Sequence, residues 1–189
     1  MADSRHLPPF SRLNERMLQG LQNLKTPCWI IDEARIVKQV QERTGCRILL
    51  AQKAFSNYDF YSLLSQYLAG TEASGLYEAR LGFEQMPGKE VHVFCAAYRE
   101  DEMEDVTACA DHIVFKSISQ LKRFGPAVKA AGKSAGLRIN PECSTQDGHA
   151  IYDPCVPGSR MGVTRKVWDE QMDEETFALL EVLHFHTLC

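Results

Sequence analysis

Residues 47–56 read RILLAQKAFS, a short apolar run that ends in a turn without glycine. An apolar run of this length between polar segments predicts a buried β-strand. The turn carries neither GxGxxG nor GxxxxGK[ST], the phosphate-binding patterns expected after the first strand of an open, doubly wound nucleotide-binding sheet. Between the two architectures built on parallel strands, this stretch therefore favours the (β/α)8 barrel.

Similar runs recur along the chain, at residues 28–31, 70–73, 91–95, 112–115, 135–139 and 182–186. From residue 47 onward their starts are about 21 to 23 residues apart, until one wider gap of about 47. The runs are mostly apolar without alternation, which predicts strands buried on both faces of a parallel sheet covered by helices. The regular spacing indicates βαβ units and again favours the barrel.

Helix signals lie between these runs. Ser56, with Asp59 three residues later, precedes an amphipathic run, and Ser117 with Gln120 forms a capping box. The segment 99–110 is acidic at its start, which suits the positive end of a helix dipole. Helices are therefore expected directly after the strands.

The chain is short for a complete barrel, which has eight strands and about 250 residues. With 189 residues and six strand candidates after the first, we expect an incomplete α/β barrel: an N-terminal part, a truncated product, or a chain completed by another. The expected domains are an extension at 1–26 and a partial barrel at 27–189. The segment 140–164 is either an active-site loop or a tolerated surface insertion.

Composition excludes several classes of protein. The formal net charge of −4 provides no positive field for nucleic acid. Apolar runs such as 48–51 and 94–98 are far shorter than the roughly 20 residues that span a membrane. The start of the chain does not resemble a secretory signal. Seven cysteines without a CxxC pair fit reduced thiols. A cytosolic protein is therefore expected. No metal site is expected either, because among the histidines and cysteines only His184 and His186 have the spacing of zinc ligands, and this pair is considered below in another role.

A few residues stand out chemically. Lys53 follows a strand at the mouth of the predicted barrel, where a desolvated amine could form a Schiff base; a snorkelling or ion-paired lysine is the alternative. Arg138 interrupts an apolar strand and needs an anion, either in an active site or in a structural ion pair. His184 and His186 share one strand face, and Cys189 follows them.

Five motifs together resemble the carboxynorspermidine decarboxylase family, from about residue 24 to the end. This is a branch of the fold-type III pyridoxal-phosphate decarboxylases, which also include ornithine and diaminopimelate decarboxylases. The strand–lysine and HFH motifs are general to that group, whereas the fourth motif and HFHTLC are typical of the carboxynorspermidine branch. The motifs are AQKAFS (51–56), GTEASGLYE (70–78), LRINP (137–141), YDPCVPGSRMG (152–162) and LHFHTLC (183–189).

The resemblance implies a role for each matching residue. Lys53 would bind pyridoxal 5′-phosphate covalently, His186 would stack on its ring, and Arg138 would support the ring through a polar network. Ser74 and Glu78 would line the site from the start of a helix. The remaining cofactor-binding position is that of Cys189, near the phosphate.

The resemblance also implies a reaction and partners. The family decarboxylates carboxynorspermidine or carboxyspermidine to norspermidine or spermidine, with the cofactor ring as the electron sink. Family members are homodimers whose remaining barrel strands and C-terminal β domain complete the site, so this chain is expected to be inactive alone. The alternatives are a diaminopimelate or ornithine decarboxylase, or a non-catalytic cofactor carrier or regulatory partner of the active enzyme.

Overall fold

The computed structural model describes residues 33–145 and 153–187. The predicted strand at 28–31, the predicted domain boundary at 26/27 and Cys189 lie outside these ranges. Residues 34–189 belong to one compact unit. Within the described ranges, no helix is both long enough and apolar enough to cross a membrane.

The described unit is built on a single parallel sheet of six strands. Each strand pairs with the next one along the chain, in the order β1 to β6. A doubly wound sheet reverses its order at a switch point, whereas a barrel adds its strands in sequence. The order therefore confirms the prediction of a partial barrel. The strands are β1 (Leu49–Ala51), β2 (Gly70–Ala73), β3 (Glu90–Phe94), β4 (His112–Phe115), β5 (Ser134–Arg138) and β6 (Leu180–His184).

Helices follow the strands as predicted. They are α1 (Glu33–Thr44), α2 (Tyr61–Leu64), α3 (Leu76–Gln85), α4 (Met103–Cys109), α5 (Ile118–Ala130), α6 (Arg165–Gln171) and α7 (Glu174–Phe177), with 3₁₀ turns at Tyr58–Phe60 and Glu100–Glu102. At the start of α5, the Ser117 hydroxyl accepts from the Gln120 N–H, as the predicted capping box requires. The prediction for Ser56 is wrong by one residue, because the side chain of Asn57 caps the turn by accepting from the Asp59 N–H.

The face of the sheet that packs under the helices carries the main core. Strand residues there are small or apolar, and several are completely buried, including Val93, Ile113, Phe115 and Leu137. They pack against apolar residues of α3, α4 and α5. A second cluster joins Tyr61, Leu64, Leu68 and Met86. We call this covered side the outer face, by analogy with the outside of a closed barrel.

The opposite, inner face is polar in part, which corrects the expectation of strands without alternation. β3 alternates between Glu90, His92 and Phe94 on the inner face and the buried valines of the outer face. The parallel register places Glu72 beside His92 and Arg138 beside His184. The inner face borders a cavity of about 320 Å³, whose lining includes Leu49, Glu72, His92, Phe94, Val114, Val182 and His184.

The long connection after β5 returns to the end of the strand it leaves. Val163 forms an isolated parallel bridge with Ile139. Gly162 permits this approach, because its φ is 99° and a Cβ there would lie 2.8 Å from the carbonyl carbon of Ile139. Another part of the connection reaches the end of β6, where the Thr145 N–H donates to the Thr187 carbonyl at 2.8 Å. The described parts of the predicted loop, at 140–145 and 153–164, thus reach the carboxyl edge of the sheet.

Candidate functional site

Lys53 lies at the carboxyl edge of the sheet, two residues beyond the end of β1. The strand pairing continues through Gln52, whose N–H donates to the Glu72 carbonyl at 3.0 Å, and a turn follows in which the Ala54 N–H donates to the Ala51 carbonyl. Lys53 is exposed, so the desolvation expected for it is not found in the described chain. Its ammonium is still close enough to Glu72, His184 and His186 to influence the pKa of each.

The residue before the lysine fixes the turn. Gln52 is 2% exposed, and its amide nitrogen donates to the Tyr61 hydroxyl at 2.9 Å. Burial raises the pKa of Tyr61, with a smaller contribution in the same direction from Glu78 and an opposing one from Gln52. Within the described residues, the amide oxygen of Gln52 is buried without a hydrogen-bond partner. A buried acceptor in that state is available to a donor that the described chain does not supply.

Arg138 and the histidines form a stack next to this edge. The Arg138 guanidinium carbon lies 4.7 Å from the centroid of the Phe94 ring, and that ring meets His184 edge to face at 4.9 Å. His184 and His186 follow, with their Nε2 atoms 2.8 Å apart. Arg138 is 6% exposed. The buried guanidinium, the Phe94 ring and the two imidazoles therefore form one continuous layer.

Both histidines have lowered pKa values, which favours their neutral forms at physiological pH. Burial, followed by the charges of His186, Arg138 and Lys53, lowers the pKa of His184 to about 4. Burial also lowers the pKa of His186, with Arg138 and Lys53 acting in the same direction. Neutral imidazoles can accept as well as donate hydrogen bonds, and can stack on a flat ring without adding charge.

Glu72 also belongs to this site, although its sequence position predicted no role for it. It is half-buried on the inner face, and burial raises its pKa, against the favourable charges of Lys53 and Arg138. It therefore connects the lysine to the buried arginine electrostatically. The available signal was its position inside the second motif, as the one charged residue of a short strand.

Ser74 and Glu78 occupy the start of α3, beside this group. The Ser74 N–H donates to the Glu78 carboxylate at 2.6 Å, so Glu78 closes the helix start. The same carboxylate contributes to the raised pKa values of Tyr61 and Glu72. The structure thus brings Lys53 and Arg138 close to both Glu72 and His186, with Ser74 and Glu78 adjoining. Cys189 lies outside the described residues.

Comparison with known proteins identifies relatives of one chemical class. No protein-family model matches the chain. It is 39% identical over 149 residues to the carboxyaminopropylagmatine decarboxylase of Synechocystis sp., covering 76% of this chain and 38% of that protein. It is 38% identical over 147 residues to the carboxynorspermidine/carboxyspermidine decarboxylase of Herminiimonas arsenicoxydans, covering 74% and 39%.

Solved structures agree with these relatives. Carboxynorspermidine decarboxylase from Campylobacter jejuni, complexed with norspermidine, superposes with a TM-score of 0.68 at 32% identity, covering 88% of this chain and 42% of that one. Diaminopimelate decarboxylase from Helicobacter pylori superposes with a TM-score of 0.67 at 21% identity, covering 91% and 47%, and supports the fold. The resemblance inferred from the motifs is confirmed, and the chain spans about two fifths of the length of its curated relatives.

Proposed function

We propose that this chain forms the cofactor-binding part of a pyridoxal-phosphate-dependent decarboxylase of the carboxynorspermidine/carboxyspermidine type. The observation that carries the proposal is the grouping of Lys53, Glu72, Arg138 and the two histidines at the carboxyl edge of one parallel sheet. This is the edge at which (β/α) barrels build their active sites. The sequence relatives, which are named as decarboxylases of carboxylated polyamines, support the same assignment.

The residues present suit pyridoxal phosphate. Lys53 provides an accessible amine for the aldehyde, and His186 provides a neutral, half-buried imidazole for the flat ring. His184 Nδ1 and the Gln52 amide oxygen are buried and, within the described chain, have no hydrogen-bond partner. The polar groups available thus match a ring that carries a hydroxyl, a nitrogen and an aldehyde. The phosphate contact is assigned to Cys189, on the resemblance alone.

Each residue then has a distinct task. When bound, the cofactor supplies an electron sink for the electron pair that remains as carbon dioxide leaves. Lys53 would hold the cofactor through its side-chain amine and would release it when the substrate amine takes the place of the lysine. Glu72, whose pKa burial raises, holds or passes a proton beside that amine. Arg138 places a positive charge near Glu72. Ser74 and Glu78 fix the start of the neighbouring helix.

The proposed substrates are carboxylated polyamines, namely carboxynorspermidine and carboxyspermidine. The Synechocystis relative is named for carboxyaminopropylagmatine, a further compound of the same kind. A carboxylate next to an amine is the feature these compounds share, and it is the feature on which the Lys53 group acts. The cationic tails would be bound by parts of the whole protein beyond the residues described here.

The assembly proposed for the whole protein is a cytosolic homodimer. The support for this assembly is the family resemblance. Strands β1 and β6 each pair with one neighbour among the described strands, which leaves both edges to the further barrel strands of the whole protein. An unpaired strand edge is a surface that a further strand can cover. We expect little decarboxylation by this chain alone, since it spans about two fifths of its relatives.

A spectroscopic titration tests the proposal. Pyridoxal phosphate bound to a lysine absorbs visible light, and we expect that absorbance when the purified chain is mixed with the cofactor. In the whole protein, which would supply the contacts to the cationic tails, carboxynorspermidine and carboxyspermidine should change the spectrum at lower concentrations than meso-diaminopimelate or ornithine. A chain that gives no visible absorbance would contradict the proposed cofactor. A preference for diaminopimelate or ornithine would contradict the proposed substrate class.

A further inference from the structure

Three side chains of types that bind metals meet on the inner face of the sheet. Glu90 is the first residue of β3, His92 is its central residue, and His112 is the first residue of β4. His92 and His112 are direct neighbours in the parallel register, so both project from the inner face. One ligand atom from each of the three residues lies within 4.8 Å of the other two. None of the three residues has been assigned a role in binding the cofactor.

The contacts within this cluster resemble the spacing of metal ligands. Glu90 Oε2 and His92 Nε2 are 3.1 Å apart, and two ligands about 2.0–2.1 Å from a tetrahedral Zn²⁺ lie roughly 3.3 Å from each other. The rings of His92 and His112 have centroids 4.2 Å apart with a tilt of 31°. One nitrogen of the half-buried His112 ring lies within 4.8 Å of the other two ligand atoms.

The polar contacts around the three residues define which atoms face an ion. Arg47 binds Glu90 Oε1 at 2.6 Å, and Glu90 Oε2 faces the histidines. Because Glu90 Oε2 and His92 Nε2 form a hydrogen bond, an ion would replace that hydrogen bond. His112 Nδ1 is buried and lacks a hydrogen-bond partner among the residues the structure describes. Two adjacent imidazoles and one carboxylate thus form a compact set of possible metal ligands.

We propose that Glu90, His92 and His112 bind one divalent transition-metal ion of the Zn²⁺ class, with water in the fourth position. Two imidazoles and one carboxylate favour such an ion over Mg²⁺ or Ca²⁺, which prefer oxygen ligands. The ion would join β3 and β4 on the inner face. Its three ligands are different residues from those assigned to the cofactor, and the site does not depend on the proposed function.

Cobalt absorbance tests the site directly. Co²⁺ in a tetrahedral site has strong visible bands, so the full 189-residue chain is titrated with Co²⁺ in the absence of pyridoxal phosphate, and the bands are then displaced by Zn²⁺. We expect one ion per chain. Substitutions His92→Gln, His112→Gln and Glu90→Gln should each weaken binding by at least about tenfold. Circular dichroism verifies that each variant is folded.

The other histidine pair supplies the matched control. The double variant His184→Gln/His186→Gln removes two imidazoles that are also in contact, and it should bind Co²⁺ as the unchanged chain does. A second readout is the melting temperature, which Zn²⁺ should raise in the unchanged chain and in the control. For a histidine variant that fails to fold, Glu90→Gln decides. The proposal is overturned if no saturable binding occurs, if binding survives all the cluster substitutions, or if the control variant alone loses it.

Discussion

The two faces of the same six strands differ in what they contribute. On the outer face, residues such as Val93, Ile113 and Phe115 are completely buried under helices. On the inner face, the residues at alternate positions include Glu72, His92 and His184, all half-buried and all with shifted pKa values. The free energy gained by burying apolar area on the outer face offsets the cost of holding titratable groups out of water on the inner face.

A single strand can therefore contribute to stability through one face and to chemistry through the other. β3 is the clearest case, since Val91 and Val93 belong to the core whereas His92 and Phe94 border the cavity. Substitutions on the two faces should therefore produce different effects even between neighbouring residues. On the outer face we expect losses of unfolding free energy, and on the inner face we expect changes in binding and in pH dependence.

The largest expected effect on stability is that of Phe115→Ala. Phe115 is fully buried between Tyr98 and Phe124, so its removal leaves a cavity and should cost about 3–5 kcal/mol of unfolding free energy. Phe94→Ala on the inner face is the matched variant and should cost no more than about 2 kcal/mol, because Phe94 borders an open cavity. Urea denaturation measures both. Equal losses would mean that the two faces do not differ as described.

The second effect is a pH dependence due to His184. Its pKa is about 4 in the folded chain and about 6.5 when unfolded, so between these values the unfolded chain binds more protons. The stabilisation is present above about pH 6.5 and is lost as the pH falls toward 4. After allowance for solvent screening, we expect a loss of about 1–2 kcal/mol.

The variant His184→Gln isolates this contribution, because glutamine does not titrate. Urea denaturation at several pH values gives the difference in unfolding free energy between the unchanged chain and the variant. That difference should shrink from pH 7 to pH 4. Glu72, with its raised pKa, and His186 titrate in both proteins and cancel to first order. A constant difference would show that His184 is not buried in a neutral form.

The smallest effect concerns a helix start on the outer side. Ser117→Ala removes the hydroxyl that accepts from the Gln120 N–H and should cost about 0.5–1 kcal/mol. Ser56→Ala is the matched control, since the cap at that turn is Asn57, and it should change stability by less than about 0.5 kcal/mol. Thermal melts of the two variants distinguish the cases. A larger loss for Ser56→Ala would reverse the assignment of the two caps.

Much of the fold could be predicted because each strand is a separate apolar run with turn residues on both sides. The described strands all lie within two residues of the predicted ones, and the glycine-free turn after residue 51 correctly favoured the barrel. The inner face was harder to predict, because only two polar residues, Glu90 and His92, alternate with the apolar residues of β3. The Ser56 cap failed because two good capping residues, Ser56 and Asn57, are adjacent.

The site could be predicted only where a motif marked it. Lys53, Arg138 and His186 each interrupt or follow an apolar run, whereas Glu72 belongs to a strand that is itself weakly apolar. The Glu90–His92–His112 cluster depends on the register between two strands, which places His92 beside His112 although they are far apart in the sequence. Sequence spacing carries no signal of that pairing.

The lysine that binds the cofactor can be located directly by chemical labelling. The purified chain is incubated with pyridoxal phosphate, reduced with borohydride, digested and analysed by mass spectrometry. We predict that Lys53 carries the label and that Lys53→Ala abolishes it. Lys116→Ala, which removes the lysine directly after β4, should leave the label unchanged. A label spread over many surface lysines, or one that persists in Lys53→Ala, would contradict the central claim.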